Sequence, residues 1–485
     1  MLNLTKNKFD IIIIGAGLSG LTLANEISEK TKKTVLIIEK KKKFSHDKNW
    51  CFWNTPKNLF TKKFDTAWDS IRIKVDKNEI IHKTNNIKYL HVKSSTFYKH
   101  MKKKLAENKK VKILNGKEIN KIIIKKEKNE VIIEKHKYEC EYLFDSRNSL
   151  IKKRNGLFQH FAGYEVVFHK NVLNKKQVTF MDFQSFVNGI NFMYILPFTT
   201  KKALFESTYF SPKTYSRSRY KNNIIKYLNK NFPNIKYKIN FKEQGVLPMF
   251  NQNVRQQFNY FPIGIPGNWM KSSTGYSFQN CFYYSDLIVK RILNNKKITI
   301  KRNKLINFLD EVFCSLIIKN PKALKKFFLY FFKKNNLMLI VKFLNGNINF
   351  LPFLKTNSEV NDLLNSINID LTGLSGAEGW NLPSFNATAL GKWSIVMNHT
   401  AHQDWATQEN SILVDPEDEV DITDGLFFKK ESEFNKGCKF LVSDEKIIEK
   451  MEFSEKFAHN TNKEGKKLKS QFSYEKTFKQ LLNSV

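Results

Sequence analysis

Three glycines and one glutamate near the start of the chain have the types and spacing to hold a charged nucleotide. Gly15, Gly17 and Gly20 form a G-x-G-x-x-G pattern directly after the apolar run Ile11–Ile14. In such a pattern the first glycine permits a tight turn, the second lets the backbone approach a pyrophosphate, and the third allows close helix–strand packing. Glu39 follows about 20 residues later, where its carboxylate can accept a hydrogen bond from a ribose 2′-hydroxyl.

The elements that must position these residues are a strand, a helix and a second strand. The β-branched run Ile11–Ile14 predicts the first strand, residues Leu21–Glu29 the helix, and TVLIIE, which ends at Glu39, the second strand. The helix N-terminus would favour the phosphate charge. This order predicts a Rossmann βαβ unit that binds the adenosine diphosphate of FAD or NAD, and an acidic strand tip argues against a 2′-phosphate. The alternative is a glycine turn in an unrelated α/β protein.

Two later segments favour FAD over NAD. Asp145 and Arg147 stand at the end of another apolar strand, in YLFDSRNS, and residues 261–278 read as strand, loop and helix start. In flavoproteins with a long substrate insert, such a late segment returns to the nucleotide domain and covers the flavin. Backbone N–H groups at the start of its helix could bind the cofactor. The candidate cofactor residues in it are Gly264, Gly267, Thr274 and Gly275.

Length and composition indicate a globular protein of more than one domain. The chain has 485 residues, of which 41% are hydrophobic, enough for a substantial core. Its five cysteines are far apart and form no C-x-x-C or zinc spacing, which predicts a reduced, cytoplasmic setting and no metal site. We expect neither a signal peptide nor a membrane span, because the first apolar run is short and interrupted by glycines.

The charge is divided unevenly along the chain. Residues 1–345 hold 67 Lys and Arg against 24 Asp and Glu, whereas residues 346–485 hold 15 against 21. A strongly basic surface suits nucleic acid or anionic lipid. Because no nucleic-acid-binding motif occurs, we expect an anionic membrane surface as partner and no nucleic acid.

The first 345 residues resemble the lycopene cyclases, the flavoproteins that form the rings of carotenoids. The strings that carry the resemblance occur in the order of that family over about residues 8–345: HDKNWCFW, FQHFAGYEVVF, VTFMDF, FMYILPFTTKKALFESTYFS, EQGVLPM and SSTGYSF. The resemblance implies an acid-initiated, net non-redox cyclisation of the ψ-end groups of lycopene to carotene rings, with reduced FAD as cofactor and NAD(P)H as electron donor.

The resemblance also gives roles to individual residues. Glu206 in LFEST matches the family's acidic position and would be the proton donor, although Ser207 stands where the family commonly has a second acid. Trp50, Phe52 and Trp53 would line a polyene tunnel beside the flavin, or else pack a core between the nucleotide domain and the insert. The secondary carboxylate candidates are Glu165, Asp182 and Glu243, which could equally be hydrogen-bonding core residues.

Residues 303–344 read as two apolar helices flanked by lysines. Such a pattern is typical of helices that lie in a membrane interface, and a packed helical cap is the alternative. We therefore expect a cytoplasmic protein that associates peripherally with a membrane.

From about residue 346 the resemblance changes to the C-terminal lobe of glycosyltransferases with two Rossmann-like domains. The motif on which this resemblance rests is EGWNLP, in which Glu378 would be the first sugar-binding acid. Asn386 stands where that family has its second acid. About 140 residues cannot hold both lobes of such an enzyme. We expect an inactive fragment and no sugar nucleotide as ligand.

Together these observations predict an α/β fold with two segments. Residues 1–345 would form a Rossmann-type FAD-binding domain with an inserted mixed β-sheet substrate domain and a helical C-terminal part, and residues 346–485 a partial Rossmann-like α/β tail. The alternatives to a cyclase are a flavin-dependent monooxygenase or prenyl reductase acting on another lipid, and a degenerate lipid-binding fusion protein.

Overall fold

The computed structural model describes most of the chain in two compact units, Met1–Ile348 and Asn349–Val485. The described residues are 7–55, 59–85, 87–151, 156–184, 189–252, 256–300, 304–319, 321–346, 368–374, 380–422, 437–473 and 476. Each unit has its own sheets and its own buried apolar cluster.

The first unit alternates strands and helices in its first part and is rich in strands in its middle. In chain order its elements are β1 (Lys8–Ile14), α1 (Leu18–Lys30), β2 (Val35–Glu39), β3 (Asn49–Trp53), β4 (Thr66–Trp68), β5 (Ser70–Val75), β6 (Asn78–Lys83), β7 (Tyr89–Lys93), α2 (Ser94–Ala106), β8 (Val111–Asn115), β9 (Lys121–Ile123), β10 (Asn129–Ile133), β11 (His136–Asp145), β12 (Phe158–Phe168), β13 (Gln177–Gln184), β14 (Ile190–Pro197), β15 (Lys202–Ser211), α3 (Arg217–Asn231), β16 (Tyr237–Pro248), β17 (Tyr260–Pro262), α4 (Phe278–Leu293), α5 (Lys304–Lys319), α6 (Pro321–Lys334) and α7 (Leu337–Leu344).

A parallel sheet forms the nucleotide-binding part, as the βαβ pattern predicts. Its parallel strands lie in the order β8-β2-β1-β11-β17, and the hairpin β9–β10 pairs antiparallel with β11. Ile11 to Ile14 are all buried because both faces of β1 are covered. The sheet brings the ends of β1, β2, β11 and β17 to one edge, which is where ligands bind in sheets of this kind.

A mixed sheet forms the inserted part, in the order β16-β12-β15-β14-β13-β5-β6. Only the β13–β5 pair is parallel among these described strands. Side chains alternate along β15: Ala203, Phe205 and Tyr209 are buried on the face that α3 covers, whereas Leu204 and Glu206 face a cavity. Because side chains of a strand point alternately to opposite faces, the register decides which residues can reach a ligand.

Residues 304–344 contain three helices, where the sequence predicts two. The break that sequence reasoning missed lies before α7, where the side chain of Asn336 caps the helix by accepting from Leu339 N–H. Asparagine at this position satisfies an otherwise unpaired backbone donor and so favours a new helix start. Within the described residues, no helix is at once long enough and apolar enough to cross a membrane.

The second unit is a small α/β structure. Its described elements are β18 (Ile369–Gly373), α8 (Leu382–Ala389), β19 (Trp393–Met397), β20 (Ile412–Val414), β21 (Asp418–Asp421), β22 (Cys438–Leu441), α9 (Asp444–Ser454) and α10 (Lys463–Gln471). The strands β18, β19 and β20 form a parallel sheet, and β21 and β22 an antiparallel pair.

Candidate active site

A cavity of about 1200 Å³ in the first unit runs from the edge of the parallel sheet to the mixed sheet. Its volume exceeds the roughly 300–1,000 Å³ typical of a site for one small molecule. One end is lined by the glycine turn and Glu39, and the other by Glu206, tyrosines and phenylalanines. The cavity can therefore hold a nucleotide cofactor and a second, apolar ligand side by side.

The glycine turn, residues 15–20, forms the nucleotide end of the cavity. Gly15 and Gly17 line the cavity, and α1 begins directly after them at Leu18. A Cβ placed on Gly17 would meet no atom within 4 Å, so open space lies in front of this residue. The carboxylate of Glu39 accepts a hydrogen bond of 2.7 Å from Ala16 N–H and lies at the cavity wall.

Asp145 and Arg147 form an ion pair, and only the arginine reaches the cavity. Asp145 is fully buried and receives hydrogen bonds from Arg147 Nε at 3.0 Å and Nη2 at 2.7 Å, and from the Tyr260 hydroxyl at 3.2 Å. Arg147 lines the cavity, whereas Asp145 does not. The structure thus places Asp145 behind the arginine, where it fixes the guanidinium, rather than in contact with a ligand.

The loop between β17 and α4, residues 263–277, closes the middle of the cavity. Gly264, Thr274 and Gly275 line it, and both glycines have positive φ, +67° and +72°. Gly267 does not line the cavity. A Cβ at this position would be 2.3 Å from Pro262 O, so glycine is required here for the backbone to turn this closely. The helix α4 begins after the loop, with Ser277 and Phe278 at the cavity.

A buried ion pair fastens this loop to α5. Lys271 Nζ contacts Asp310 Oδ1, and the Ser273 hydroxyl donates to the same oxygen at 2.7 Å. Lys271 and Asp310 are both buried, so removing either would leave an uncompensated charge. The loop that lines the cavity is therefore held by the same helix that carries Phe313 into the cavity wall.

The residues present fit a dinucleotide. The space in front of Gly17 admits a pyrophosphate beside the first turn of α1, and Glu39 can exchange its backbone partner for a ribose hydroxyl. Farther in, Gln159 Oε1 is buried in the cavity wall and receives no hydrogen bond from the described residues. A buried acceptor of this kind needs a donor, and a ligand in the cavity could supply one.

Glu206 is buried in the wall of the apolar half of the cavity. It lies on β15, and its carboxylate accepts a hydrogen bond of 2.6 Å from the Thr208 hydroxyl, two residues along the same face. Burial raises the pKa of Glu206 to about 7, against the lowering effect of Thr208. Ser207 points to the opposite face, where its hydroxyl accepts from the Asn223 amide at 3.3 Å.

Glu243 lies at the same wall, on β16. Glu206 and Glu243 are both register partners of Gly163, which lies on β12 between their strands. The Glu243 carboxylate accepts from Asn49 N–H at 3.1 Å and from Asn49 Nδ2 at 3.0 Å. Burial and then the charge of Glu206 raise the pKa of Glu243 to about 8, against the lowering effect of Asn49.

The other two carboxylate candidates lie outside the cavity. Glu165 is buried and forms an ion pair of 2.9 Å with Lys202. Asp182 is also buried and accepts from the Tyr227 hydroxyl at 2.6 Å. Both have the partners of structural residues, which leaves Glu206 and Glu243 as the two of these four candidates that line the cavity.

The three aromatic residues of NWCFW are divided between the cavity and the core. Trp50 lines the cavity, together with Cys51. Phe52 is buried and stacks on Phe278 with ring centroids 4.3 Å apart, and Trp53 is fully buried against Tyr89. The tunnel interpretation thus has a structural basis for Trp50, and the core interpretation for Phe52 and Trp53.

Further aromatic residues, which the sequence alone did not single out, line the same cavity as Glu206. Tyr194 is the register partner of Glu206 on β14, and its hydroxyl lies 2.8 Å from that of Tyr89. Burial raises the pKa of both phenols well above the usual 10, so both stay neutral. Phenylalanines of the three helices complete the wall: Phe313, Phe327, Phe328, Phe331, Phe332 and Phe343.

Of the residues around Glu206 and Glu243 that the sequence analysis did not name, only some could have been found from the sequence. Thr208 could have been found from the period of two along the strand of Glu206. Tyr194 and Asn49 could not, because their approach depends on strand pairing over long distances in the chain.

In the second unit, Asn386 is exposed on α8, and Glu378 lies outside the described residues. The resemblance of this unit to a glycosyltransferase lobe stays a prediction.

Comparisons with known proteins agree with this architecture. A family model described as "Lycopene cyclase protein" matches residues 10–350.

Solved structures of similar fold are also found. The structure of a geranylgeranyl bacteriochlorophyll reductase-like protein from Thermoplasma acidophilum has 13% identity and a TM-score of 0.50, with 74% of this chain and 98% of that chain covered. A flavoprotein/dehydrogenase from Cytophaga hutchinsonii has 13% identity, a TM-score of 0.53 and the same coverage. At this identity the likeness concerns the fold, and the predicted α/β class with a Rossmann-type domain is confirmed. No curated protein sequence matches the chain significantly.

Proposed function

We propose, because this chain belongs to the lycopene cyclase protein family, that it closes the ψ-end groups of lycopene or a related linear carotenoid into carotene rings. The observation that carries the proposal is the position of Glu206, whose carboxyl is buried in an aromatic cavity that is continuous with the glycine turn. Ring closure of this kind is an isomerisation, so no atoms are gained or lost overall.

The reaction needs an acid that can protonate a carbon–carbon double bond near neutral pH. The pKa of Glu206 is raised to about 7 by burial, so a substantial fraction of this carboxyl keeps its proton near pH 7. A general acid is most effective when its pKa lies near the working pH. Glu206 is therefore our candidate for the proton donor, and Thr208 orients its carboxyl through the hydrogen bond of 2.6 Å.

The cation that forms on the substrate must be stabilised and kept from water. Aromatic faces attract cations. The cavity wall contains Phe210 on β15, the strand of Glu206, and Phe192 and Tyr194 on the neighbouring strand β14. Burial keeps the Tyr194 phenol neutral, so this ring adds no charge to the wall. The helices α5 to α7 close the apolar end with phenylalanines, which exclude water from the reacting carbons.

FAD is the cofactor that we assign to the other half of the cavity. Gly15 and Gly17 would admit its pyrophosphate, Glu39 would bind its ribose, and Arg147 and the 263–277 loop would hold the part nearer Glu206. In its reduced, anionic form FAD supplies negative charge that stabilises a cation. We expect NAD(P)H to supply the electrons that reduce it.

We further propose that the helices α5 to α7 rest on an anionic membrane from which the substrate enters. Ile318, Phe327 and Met338 are 48%, 42% and 45% exposed on these helices, and Lys333, Lys334 and Lys342 are exposed beside them. Exposed apolar and basic residues on one set of helices suit a membrane interface. Phe327 belongs also to the cavity wall, which would connect this surface with the site.

The test is expression of the full chain in a bacterium that accumulates lycopene, with pigments separated by chromatography. We expect cyclic carotenes with the wild-type chain and lycopene alone with the Glu206→Gln variant. Unchanged lycopene in cells that contain flavin-loaded wild-type protein would contradict the proposal.

A further inference from the structure

Glu206 and Glu243 form a pair of carboxyls across one glycine. Their strands, β15 and β16, flank β12, and both residues are paired in register with Gly163. Strands two places apart in a sheet are separated by about 10 Å, so the two side chains can approach only by leaning over the residue between them. They can do so because that residue has no side chain.

The position of Glu243 shows that this approach occurs. A Cβ on Gly163 would lie 3.2 Å from Glu243 Cγ and 3.3 Å from Glu243 Oε1. The Glu243 carboxylate therefore covers the place that any other side chain at 163 would fill, and it lies near enough for the charge of Glu206 to raise its pKa. Two carboxyls held this way in a buried wall cannot both be ionised without a large penalty, so the ionisation of one opposes that of the other.

The hydrogen-bond donors around the pair are unequal. Glu243 Oε2 receives both the backbone and the side-chain N–H of Asn49. Among the residues that the structure describes, Glu206 receives a hydrogen bond from the Thr208 hydroxyl alone, which can accept as well as donate. The pKa values of about 7 and about 8 belong to the pair and not to either carboxyl alone. Two fixed N–H donors favour an ionised carboxyl, so once the pair has lost its first proton this arrangement favours the charge on Glu243 and the remaining proton on Glu206.

Asn49 is itself held in the orientation that this requires. Its Oδ1 lies 2.7 Å from His91 Nε2, and burial lowers the pKa of His91 to about 3. A neutral His91 with its proton on Nε2 donates to Oδ1, and the amide nitrogen of Asn49 must then point toward Glu243. His91 thus acts as a positioning residue for the charged member of the pair.

We propose that Glu243 is the base of the reaction: it accepts the proton that the substrate loses after Glu206 has donated one. The inference rests on the proposed function and extends it, because ring closure requires a proton to be added at one carbon and removed at another. Glu243 lines the same cavity as Glu206 and would be within reach of the same end group.

The step balances without a further reactant. The Glu206 carboxyl gives its proton to the terminal double bond, and a second double bond supplies the electron pair that forms the ring bond. The ring cation loses a proton to the Glu243 carboxylate, and the electrons of that C–H bond form the new double bond. Transfer of the proton from Glu243 to Glu206 restores the enzyme.

The first test compares Glu243→Gln with Glu165→Gln in lycopene-accumulating cells. Glu165 is a matched control, because it is a buried glutamate of the same sheet that lies outside the cavity. We expect Glu243→Gln to bind flavin, to lower ring formation about 10²-fold or more, and to yield a mixture of ring isomers, since the removed proton is no longer selected. The same ring product at the wild-type rate would overturn the proposal.

A second test does not depend on ring formation. The carboxylic-acid band of the flavin-loaded full chain is followed by infrared spectroscopy as pH is raised, in wild type and in each Gln variant. Other titratable groups at this wall are Cys51, Tyr194 and, near Glu243, Asp47. We expect Glu243 to ionise at lower pH when Glu206 is replaced, because the repulsion between them is removed.

Identical ionisation of Glu243 with and without Glu206 would overturn the pairing and with it the proposal. A shifted ionisation in a protein that forms no rings would leave the pair standing and refute the proposed function instead. Gly163→Ala keeps both carboxyls but places a methyl group 3.3 Å from Glu243 Oε1. We expect this variant to bind flavin, to form rings more slowly and to ionise Glu243 at lower pH than wild type.

Discussion

Gly20 lies directly against Gly15, which lines the nucleotide end of the cavity. A Cβ on Gly20 would be 1.9 Å from Gly15 O, so helix α1 can reach strand β1 only with glycine at this position. Gly17, between them in the chain, faces open space instead. The motif thus contains a glycine that the fold requires and a glycine that a ligand would require.

This difference gives a matched pair of substitutions. We expect Gly17→Val to fold and to purify as colourless apoprotein, because the valine occupies the space into which the pyrophosphate would fit. We expect Gly20→Val to be insoluble or strongly destabilised, because backbone atoms cannot give way by more than 1 Å. Flavin absorbance and circular dichroism measure the two effects separately. Yellow Gly17→Val protein would contradict the assigned FAD site.

Replacement of Glu206 by Gln removes the acidic proton and keeps the size of the side chain. The amide oxygen can still accept from the Thr208 hydroxyl, so we expect a folded, flavin-loaded protein. Ring formation should fall by about 10²–10⁴-fold, the usual contribution of a general acid. The assay supplies reduced flavin, and Glu165→Gln serves as control. Near-normal activity of Glu206→Gln would exclude it as the donor.

Stability should depend on pH through the two buried carboxyls. Their pKa values of about 7 and about 8 lie above the ordinary 4.5. Between about pH 4.5 and pH 8 the folded state therefore binds more protons than the unfolded state. The contribution of the pair to the free energy of unfolding is thus fully present below about pH 4.5 and is lost as pH rises through 7 and 8. Urea unfolding of wild type and of the Glu206→Gln/Glu243→Gln double variant across this range measures the difference. Parallel pH profiles of the two proteins would show that the pair does not titrate as described.

The same ionisation should limit catalysis. Once the pair has lost its last proton, ring formation should fall by about tenfold for each further pH unit. A rate that stays constant from pH 7 to pH 10, at saturating flavin, would require another proton donor.

Removal of the second unit should leave ring formation intact. The family match ends at residue 350, and the residues that line the cavity end at Leu344. A chain that stops after residue 350 retains α7 and every part of the site. We expect flavin binding and ring formation within about twofold of the full chain. A soluble, flavin-loaded truncation without activity would assign the second unit a part in catalysis.

Binding to membranes should combine charge and apolar contact. Each lysine near an anionic surface contributes about 1 kcal/mol, so co-sedimentation with anionic vesicles should weaken with added salt. Phe327→Glu should weaken it further, since this side chain is 42% exposed on α6. Phe64→Glu is the control, with 43% exposure in the segment before β4. Equal effects of the two substitutions would locate the membrane contact elsewhere.

The local parts of the structure could be predicted from the sequence. The glycine turn and Glu39 depend on neighbours within 30 residues, and the period and order of β1, α1 and β2 define them. Glu206 could be proposed because its motif has a counterpart in a known family. In each case the information lies within one short segment.

The relationships between segments could not be predicted. Glu206 and Glu243 meet because two different strands pair in register with Gly163, and a slip of one residue would turn either side chain to the α3 face. Asp145 lies behind Arg147 for a similar reason, since only the packed sheet decides which member of the pair faces the cavity. The burial of Phe52 and Trp53 depends on α4 and β7 in the same way.

The order of strands in the parallel sheet also governs how the protein can be made. Asp145 of β11 pairs with Pro262 of β17, so the sheet is completed only after the whole mixed sheet has been synthesised. Contacts between such distant parts of a chain form slowly, because a long loop must close before they are gained. Until Tyr260–Pro262 leaves the ribosome, the end of β11 has an open edge. We therefore expect the nucleotide site to be among the last parts of the molecule to be assembled.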